Sequence, residues 1–543
     1  MPGKQQSAFS VLPMRTPILL FLALALTAFL RFYRLDGYGL WSDEFVTLAI
    51  VSSESFREVI RTCFAIPQPI PPLYFLLNKW VYGFFPPGEI ALRVLSAAAS
   101  VLAGYLLFVV GRLLFSAEVG LWGLFLYAVN STQIVYAQNA RPYALALALS
   151  TASTGCLLKW RCRHSRAWAL GYVAASALLL HTHYLFFPML MAHWLYLAVD
   201  AGSPSAGGAK PWRLWLKLHA GIAVSLLPLC PQLWQIVHAR HSLNWERKYP
   251  AAKDLLAFLE LRPLLAGLAV GLLLYVGCRT IPAVSRRWSS RLTASDPPRN
   301  RKGLLLLGLW YFLPLSLFFG LAYGNGLNLF VERYMILASL PPFLALPALA
   351  LAACPKWIGR SALVVYLSVY VWIVPATYFR QKGQLSQGVP GGNEWRETLS
   401  QLAFPKFQSS VFLFQSPFIE SNRLDFSGDS QLLRYLSAPL QSFYVKKPGA
   451  PFVLLPVHWW IESEPHWNFK SRLRVSLLSQ RDFTLLATQE FFDYFEPWLK
   501  SQSRPCGEWR VVESFRSSGA LRLKRLAWFS PSTRLSVRDA NAT

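Results

Sequence analysis

Five short clusters gather side chains able to take protons, hold anions or bind metals. The first is Trp41-Ser42-Asp43-Glu44. Adjacent carboxylates can act as a base, ligate a metal or cap a helix. Ser42 or Asp43 would cap a helix through Phe45 to Val51, with Glu44 near its positive end. The second is Tyr136-Ala137-Gln138-Asn139-Ala140-Arg141-Pro142-Tyr143. Pro142 suits a first helical turn, and Arg141 there opposes the helix dipole, so it either snorkels to an interface or welcomes an anion. The third is His181-Thr182-His183-Tyr184; residues at i and i+2 do not share a helical face, which favours an aromatic belt over a metal pair. The fourth is Glu332-Arg333-Tyr334, where the two charges can satisfy each other. The fifth is the loop His238 to Pro250, with Arg240, His241, Glu246, Arg247 and Lys248 as solvated charges or phosphate contacts.

The elements that must position these clusters are membrane helices. The 543 residues are 54% hydrophobic and only 15% charged, against roughly 25% charged in soluble domains. Apolar runs recur, each long enough for a hydrocarbon core about 30 Å thick. The expected spans are 17–32, 90–111, 119–136, 141–158, 167–180, 184–200, 214–237, 255–278, 303–323, 334–352 and 360–377. The first run is read as a retained helix, because the basic-aromatic Arg31-Phe32-Tyr33-Arg34 follows it where a signal peptide would carry a small-residue cleavage site. With the N-terminus in the cytoplasm, every cytoplasmic link is basic: Arg112; Lys159, Arg161, Arg163 and Arg166; Lys210 and Arg213; seven Lys or Arg from Arg279 to Lys302; and Lys356. This pattern accounts for much of the net charge of +26 and speaks against nucleic-acid binding. Pro72 to Phe85 is apolar but short. Counting it as a span would invert all later loops, so it is read as re-entrant or interfacial within the first outer loop, 33–89. The five clusters then fall on the non-cytoplasmic face.

An odd count of about eleven spans leaves 381–543 outside. Within that stretch Gly388 to Gly392 forms a linker, after which shorter apolar runs appear. Val411–Phe414 and Phe452–Leu455 read as strands, Val511 to Leu523 as a hairpin about Ser517-Ser518-Gly519, and Glu394–Leu402 and Gln431–Leu436 as helices. The expected fold is mainly α: a polytopic bundle over 1–380 with a soluble extracytoplasmic α/β domain over 381–543. Seven scattered cysteines show no metal-type CxxC spacing; Cys63 and Cys506 both fall outside the membrane, where a disulfide is permitted but unsupported.

In this order and topology the sequence resembles the GT-C class of membrane glycosyltransferases. It is similar to bacterial relatives of dolichyl-phosphate-mannose protein mannosyltransferase and of the lipid A aminoarabinose transferase. The residues that carry the resemblance are WSDEFVTL (41–48), PPLYFLL (71–77), ALRVLSA (91–97), YAQNARPYAL (136–145), HTHY (181–184), ERYMI (332–336) and NEWRE (393–397). It covers roughly residues 15 to 400; no single motif is specific, and the C-terminal domain adds little.

The resemblance implies transfer of a sugar, with inversion, from a polyprenyl-phosphate carrier to a lipid, glycan or protein acceptor outside the cytoplasm. Asp43 and Glu44 would be the catalytic carboxylates, with Asp43 as general base or as the group that orients the acceptor hydroxyl. Arg141 and Arg333 would stabilise the leaving phosphate. Tyr74, Tyr143 and His183 would donate hydrogen bonds, and Gln138, His181 and Tyr334 would line the donor site. Lys79, with Trp80, would line a groove for the lipid chain, and the C-terminal domain would cover the site and help choose the acceptor. Asn139 stands where relatives often carry an acid, and Ile70 where they carry His or Asn before the proline pair. No cofactor and no obligatory metal are therefore expected, with an accessory divalent metal as the weaker alternative. The implied location is a bacterial inner membrane. A transporter or flippase of lipid-linked sugars would show inverted repeats or midplane broken helices, which the sequence lacks. A non-catalytic envelope assembly protein would have little use for Asp43-Glu44 and Arg141. Sugar, acceptor and carrier length are not written in the sequence.

Overall fold

The structure, a computed structural model, describes residues 15–66, 70–201, 211–238, 297–325, 329–353, 356–368, 371, 392–409, 411–418, 430–445, 452–455, 482–501 and 507–529. The expected span 255–278, the loop 239–250 and the 388–391 linker lie outside these residues. In chain order the helices are α1 (Arg15–Phe32), α2 (Ser42–Val51), α3 (Phe56–Ala65), α4 (Leu73–Tyr82), α5 (Glu89–Leu114), α6 (Ala117–Val129), α7 (Ser131–Ala137), α8 (Tyr143–Arg163), α9 (Arg166–Thr182), α10 (Phe187–Ala201), α11 (Pro211–Ser225), α12 (Cys230–His238), α13 (Pro297–Asn325) and α14 (Pro341–Ala353). Helix α15 (Gly392–Gln401), α16 (Ser430–Leu436) and α17 (Gln489–Ser501) follow. The chain divides into two compact units. One comprises 1–33, 70–77 and 93–381; the other comprises 34–69, 78–92 and 382–543.

The first unit is an apolar helical bundle. Among the described residues, Glu89–Leu114, Arg301–Tyr323 and Arg333–Ala352 are long and apolar enough to cross a membrane. Trp215–Ser225 and Leu227–His238 pass the same test together, bent by 40°. Pro228 in the intervening turn, which lacks a backbone donor, accounts for that break in what the sequence reads as one span, 214–237. The expected span 119–136 also divides, into α6 and α7. Asn130 leaves the helical conformation and its side chain accepts the Gln133 N–H at 3.0 Å, so it caps the second helix at the expense of the first. Helix α4 has 10 residues, about 15 Å of rise and half a hydrocarbon core, in keeping with an element that does not cross.

Close packing and reciprocal capping hold the bundle. A Cβ on Gly111 of α5 would lie 2.7 Å from the Gly120 Cα of α6, so only small residues permit this approach. Arg31, fully buried at the end of α1, donates to the Tyr127 carbonyl at 2.7 Å and to the Ala128 carbonyl, the terminal carbonyls of α6. Its guanidinium lies 4.8 Å from the Tyr127 ring centre.

The second unit contains a mixed five-stranded sheet, β1 (Phe412–Gln415), β2 (Phe452–Leu455), β3 (Asp482–Thr488), β4 (Glu508–Arg516) and β5 (Leu521–Phe529), in the order β2-β1-β3-β5-β4. Strand β1 pairs in parallel with β2 and β3, while β3 pairs antiparallel with β5. The expected hairpin about Ser517–Gly519 is present as β4–β5. Helix α17 turns Phe492, Phe495 and Leu499 onto Phe483, Leu485, Trp509 and Leu526, the spacing of one helical face against a buried sheet. Segments 34–66 and 78–92 pack in this same unit.

Candidate functional site

In the first unit the geometry centres on His183. It closes α9 as its C-cap residue, and its Nδ1 accepts the Leu185 N–H at 3.3 Å, which turns the chain into the next helix. The residue as a whole is half-buried. Tyr143 lies 5.4 Å away between ring centres, Phe186 5.4 Å and Tyr334 6.1 Å. Tyr136 packs edge-on to Tyr143 at 5.3 Å. The Arg333 guanidinium sits 5.4 Å from the Tyr334 ring centre. Burial, followed by the positive charges of Arg141 and Arg333, drives the His183 imidazole well below its ordinary pKa and keeps it neutral. Two guanidinium groups from distant parts of the chain thus bear on one neutral ring. Such a centre attracts an anion, and planar guanidinium forks suit a phosphate.

Helix geometry explains how these side chains meet. Arg141 sits just before α8, whose first turn Pro142 opens, and Tyr143 follows at once. The Arg141 N–H donates to the Asn139 carbonyl at 2.7 Å, a tight turn that reverses the chain between α7 and α8. The Arg141 carbonyl accepts the Ser96 hydroxyl at 3.2 Å, and Ser96 Oγ lies 2.8 Å from the Tyr74 hydroxyl. A serine has one proton to give, and in this arrangement it goes to Arg141, so Tyr74 is the donor to Ser96. Tyr74 and Ser96 are fully buried. Tyr74 therefore supports the turn that carries Arg141. Ser96, within ALRVLSA, received no role from the sequence; its place in the motif was the only signal.

Gln138 and His181 hydrogen-bond carbonyls at helix ends. The Gln138 amide donates to the carbonyls of Leu30, Arg31 and Tyr33 at 3.2, 3.3 and 3.0 Å, capping the end of α1. His181 Nε2 lies 2.9 Å from the Ser225 carbonyl at the end of α11, turned to a different partner from His183 as the i, i+2 spacing requires. Gln232, also unassigned by sequence, donates to the Ile70 carbonyl at 3.2 Å and accepts from the Tyr184 hydroxyl. Among the described residues no group of three or more His, Cys, Asp or Glu could hold a metal ion.

In the second unit, α2 starts at Ser42 with Trp41 as its N-cap residue, one position ahead of Ser42 and two ahead of Asp43, the caps expected. The backbone explains the shift: Trp41 is extended and its carbonyl accepts the Glu44 N–H at 2.9 Å. The Glu44 carboxylate reaches back to the Trp41 N–H at 3.4 Å. Glu44 is buried, at 1% exposure, whereas Asp43 is half-open on the first turn of the helix. Of the two carboxylates, Asp43 is the more exposed. The Lys79 ammonium donates to the carbonyls of Val51, at 3.3 Å, and Ser53. Those groups end α2, so Lys79 caps the helix that begins at the carboxylates. Cys63 is buried in α3, and burial pushes its thiol up to about 12; Cys506 lies outside the described residues.

Comparison with solved structures identifies the architecture. ArnT from Cupriavidus metallidurans, in the apo state and bound to undecaprenyl phosphate, aligns with TM-score 0.55 and 13% identity over 94% of this chain and 98% of that one. The oligosaccharyltransferase AglB from Archaeoglobus fulgidus, in complex with an inhibitory peptide and a dolichol-phosphate, aligns at TM-score 0.44 and 12% identity over 94% of this chain and 74% of its own. No protein-family model matches the sequence, and no curated protein sequence matches it. At such identity the likeness to ArnT is one of fold alone.

Proposed function

We propose that this protein is a membrane glycosyltransferase that moves a sugar from a polyprenyl-phosphate donor to an acceptor hydroxyl on the non-cytoplasmic side of a bacterial inner membrane. The observation that carries the reading is the pair Arg141 and Arg333 bearing on neutral His183, in a chain with the fold of a protein crystallised with undecaprenyl phosphate. In this reading the two guanidiniums bind the donor phosphate and the hydroxyls of Tyr143 and Tyr334 donate to it. Asp43 takes the proton of the acceptor hydroxyl. The acceptor oxygen attacks the anomeric carbon as the bond from that carbon to the phosphate oxygen breaks. The electron pair leaves with the lipid phosphate, and the anomeric centre inverts. Charge grows on the departing oxygen, and fixed cations stabilise that charge without reorganising. Asp43 serves as base in this reading because a carboxylate oxygen within hydrogen-bond reach of the acceptor hydroxyl can accept its proton.

The sequence-level topology supports the sidedness, since all the basic links fall on one face. The test is release of radiolabelled sugar from undecaprenyl-phosphate-linked hexoses and pentoses by protein in lipid nanodiscs, with wild type compared with Asp43→Asn. The expected result is turnover that collapses in the variant while its binding of undecaprenyl phosphate persists. Equal turnover would remove Asp43 from the mechanism. Unchanged binding of undecaprenyl phosphate in Arg141→Ala would remove the phosphate site.

A further inference from the structure

The segment 36–41, which delivers the chain into α2, has its backbone held by side chains far away in sequence. The Asp36 carbonyl accepts from Arg396 Nη2 at 2.7 Å. The Gly39 N–H donates to Asn393 Oδ1 at 3.1 Å, and the Leu40 N–H donates to the Tyr444 hydroxyl at 2.8 Å. Tyr444 in turn donates to Glu89 Oε1 at 2.7 Å, and Arg396 Nη2 reaches the same oxygen at 2.7 Å. Phe45, just past the carboxylates, is fully buried against the rings of Trp395 at 5.7 Å and Tyr444 at 6.2 Å, both edge-on. Asp43 therefore sits between two anchored points of the chain, Leu40 and Phe45.

The motif NEWRE explains how one short helix does this. Residues three apart share a helical face. Asn393 and Arg396 form one face of α15 and hold segment 36–39. Glu394 and Glu397 form the adjacent face. Glu394 Oε2 accepts the Leu521 N–H at 3.0 Å, and Glu397 Oε2 accepts the Ser518 N–H at 2.9 Å, both in the β4–β5 hairpin. Trp395, 1% exposed, fills the core beside them. Helix α15 thus bolts the approach to Asp43 onto the sheet of the same unit.

We infer that Asn393, Arg396, Tyr444 and Glu89 are positioning residues for Asp43, a clamp that sets where its carboxylate stands during transfer. The inference rests on the reading of Asp43 as the base. A base must lie within hydrogen-bond reach of the proton it takes, and a misplacement of about 1 Å can lower the rate about a hundredfold. Tyr444 is the informative member. Its hydroxyl accepts from Leu40 and donates to Glu89, while its ring separately packs on Phe45. Tyr444→Phe removes the two hydrogen bonds and keeps the ring.

The experiment uses full-length protein in nanodiscs and the same panel of undecaprenyl-phosphate-linked radiolabelled sugars. It compares wild type, Tyr444→Phe, Asp43→Asn and the double variant. Tyr444→Phe is expected to lower kcat by roughly ten- to a hundredfold with donor KM unchanged within about twofold. In the double variant it is expected to lower the residual rate no further, because the clamp acts only through the carboxylate. An equal loss in both backgrounds, or an unchanged kcat in the single variant, would overturn the clamp. Full activity in Asp43→Asn would overturn the base itself, a separate failure. Hydrogen exchange at Gly39 and Leu40 supplies a readout free of substrate: exchange in Tyr444→Phe as slow as in wild type would also overturn the clamp.

Discussion

Ser96→Ala isolates how the bundle presents Arg141. Ser96 donates at 3.2 Å to the Arg141 carbonyl and receives the Tyr74 hydroxyl at 2.8 Å, with both side chains fully buried. The variant loses both bonds, and the one that restrains Arg141 is worth about 0.5–1.5 kcal/mol net. If that restraint fixes the Arg141 turn, the variant binds undecaprenyl phosphate about two- to tenfold more weakly. Removing the cation itself by Arg141→Ala deletes a charge-assisted contact of about 1.5–3 kcal/mol, roughly ten- to a hundredfold in affinity. Ser96→Thr retains the hydroxyl and should bind close to wild type. The assay is titration of undecaprenyl phosphate by intrinsic tryptophan fluorescence in nanodiscs, with thermal unfolding alongside. A Ser96→Ala protein that binds like wild type while Arg141→Ala loses affinity would refute the idea that Ser96 passes order to Arg141.

Three further outcomes follow from the geometry. His183 is pushed down to about 3, so the unfolded chain binds the extra proton; its contribution to stability is intact above about pH 6.5 and lost as pH falls towards 3. His183→Gln should flatten that acid limb, read as the midpoint of thermal unfolding at pH 7 and pH 5; an unchanged slope would count against an imidazole held neutral by the fold. Lys79→Ala should leave affinity for undecaprenyl phosphate unchanged and destabilise the protein by about 1–2 kcal/mol, because two carbonyls at the end of α2 lose their donor. Affinity that falls with stability unchanged would return Lys79 to the donor groove. Cys63, with its thiol raised to about 12, should resist maleimide at pH 7.5 in folded protein and react after denaturation; rapid labelling of the native state would contradict its burial.

Much of the architecture was legible because membrane helices announce themselves by length and apolarity. The strands at 412–415 and 452–455 and the hairpin after Val511 were legible because short apolar runs between turn residues favour extended chain. The site was legible only as residue types at loop positions. Tyr143, His183, Tyr334 and Arg333 are neighbours in space, while Gln138 and Lys79, equally polar and equally near the motifs, donate to carbonyls at helix ends. A sequence cannot tell a side chain facing a ligand from one facing an orphan carbonyl, since both roles ask for the same donor. The misplaced cap at Ser42 and the division at Asn130 have the same origin: a polar residue at a boundary competes for backbone groups, and small differences decide which turn it closes.

The sequence by itself determined the membrane helices, the basic links between them and the order of the polar motifs, because each depends on local composition against a hydrocarbon core. Tertiary structure alone decided that Ser96 and Tyr74 stand behind Arg141, and that Asn393, Arg396 and Tyr444 anchor the approach to Asp43. Those bonds join residues as many as 404 positions apart. The geometry of such a bond is set by how whole helices pack, which no stretch of neighbouring residues encodes.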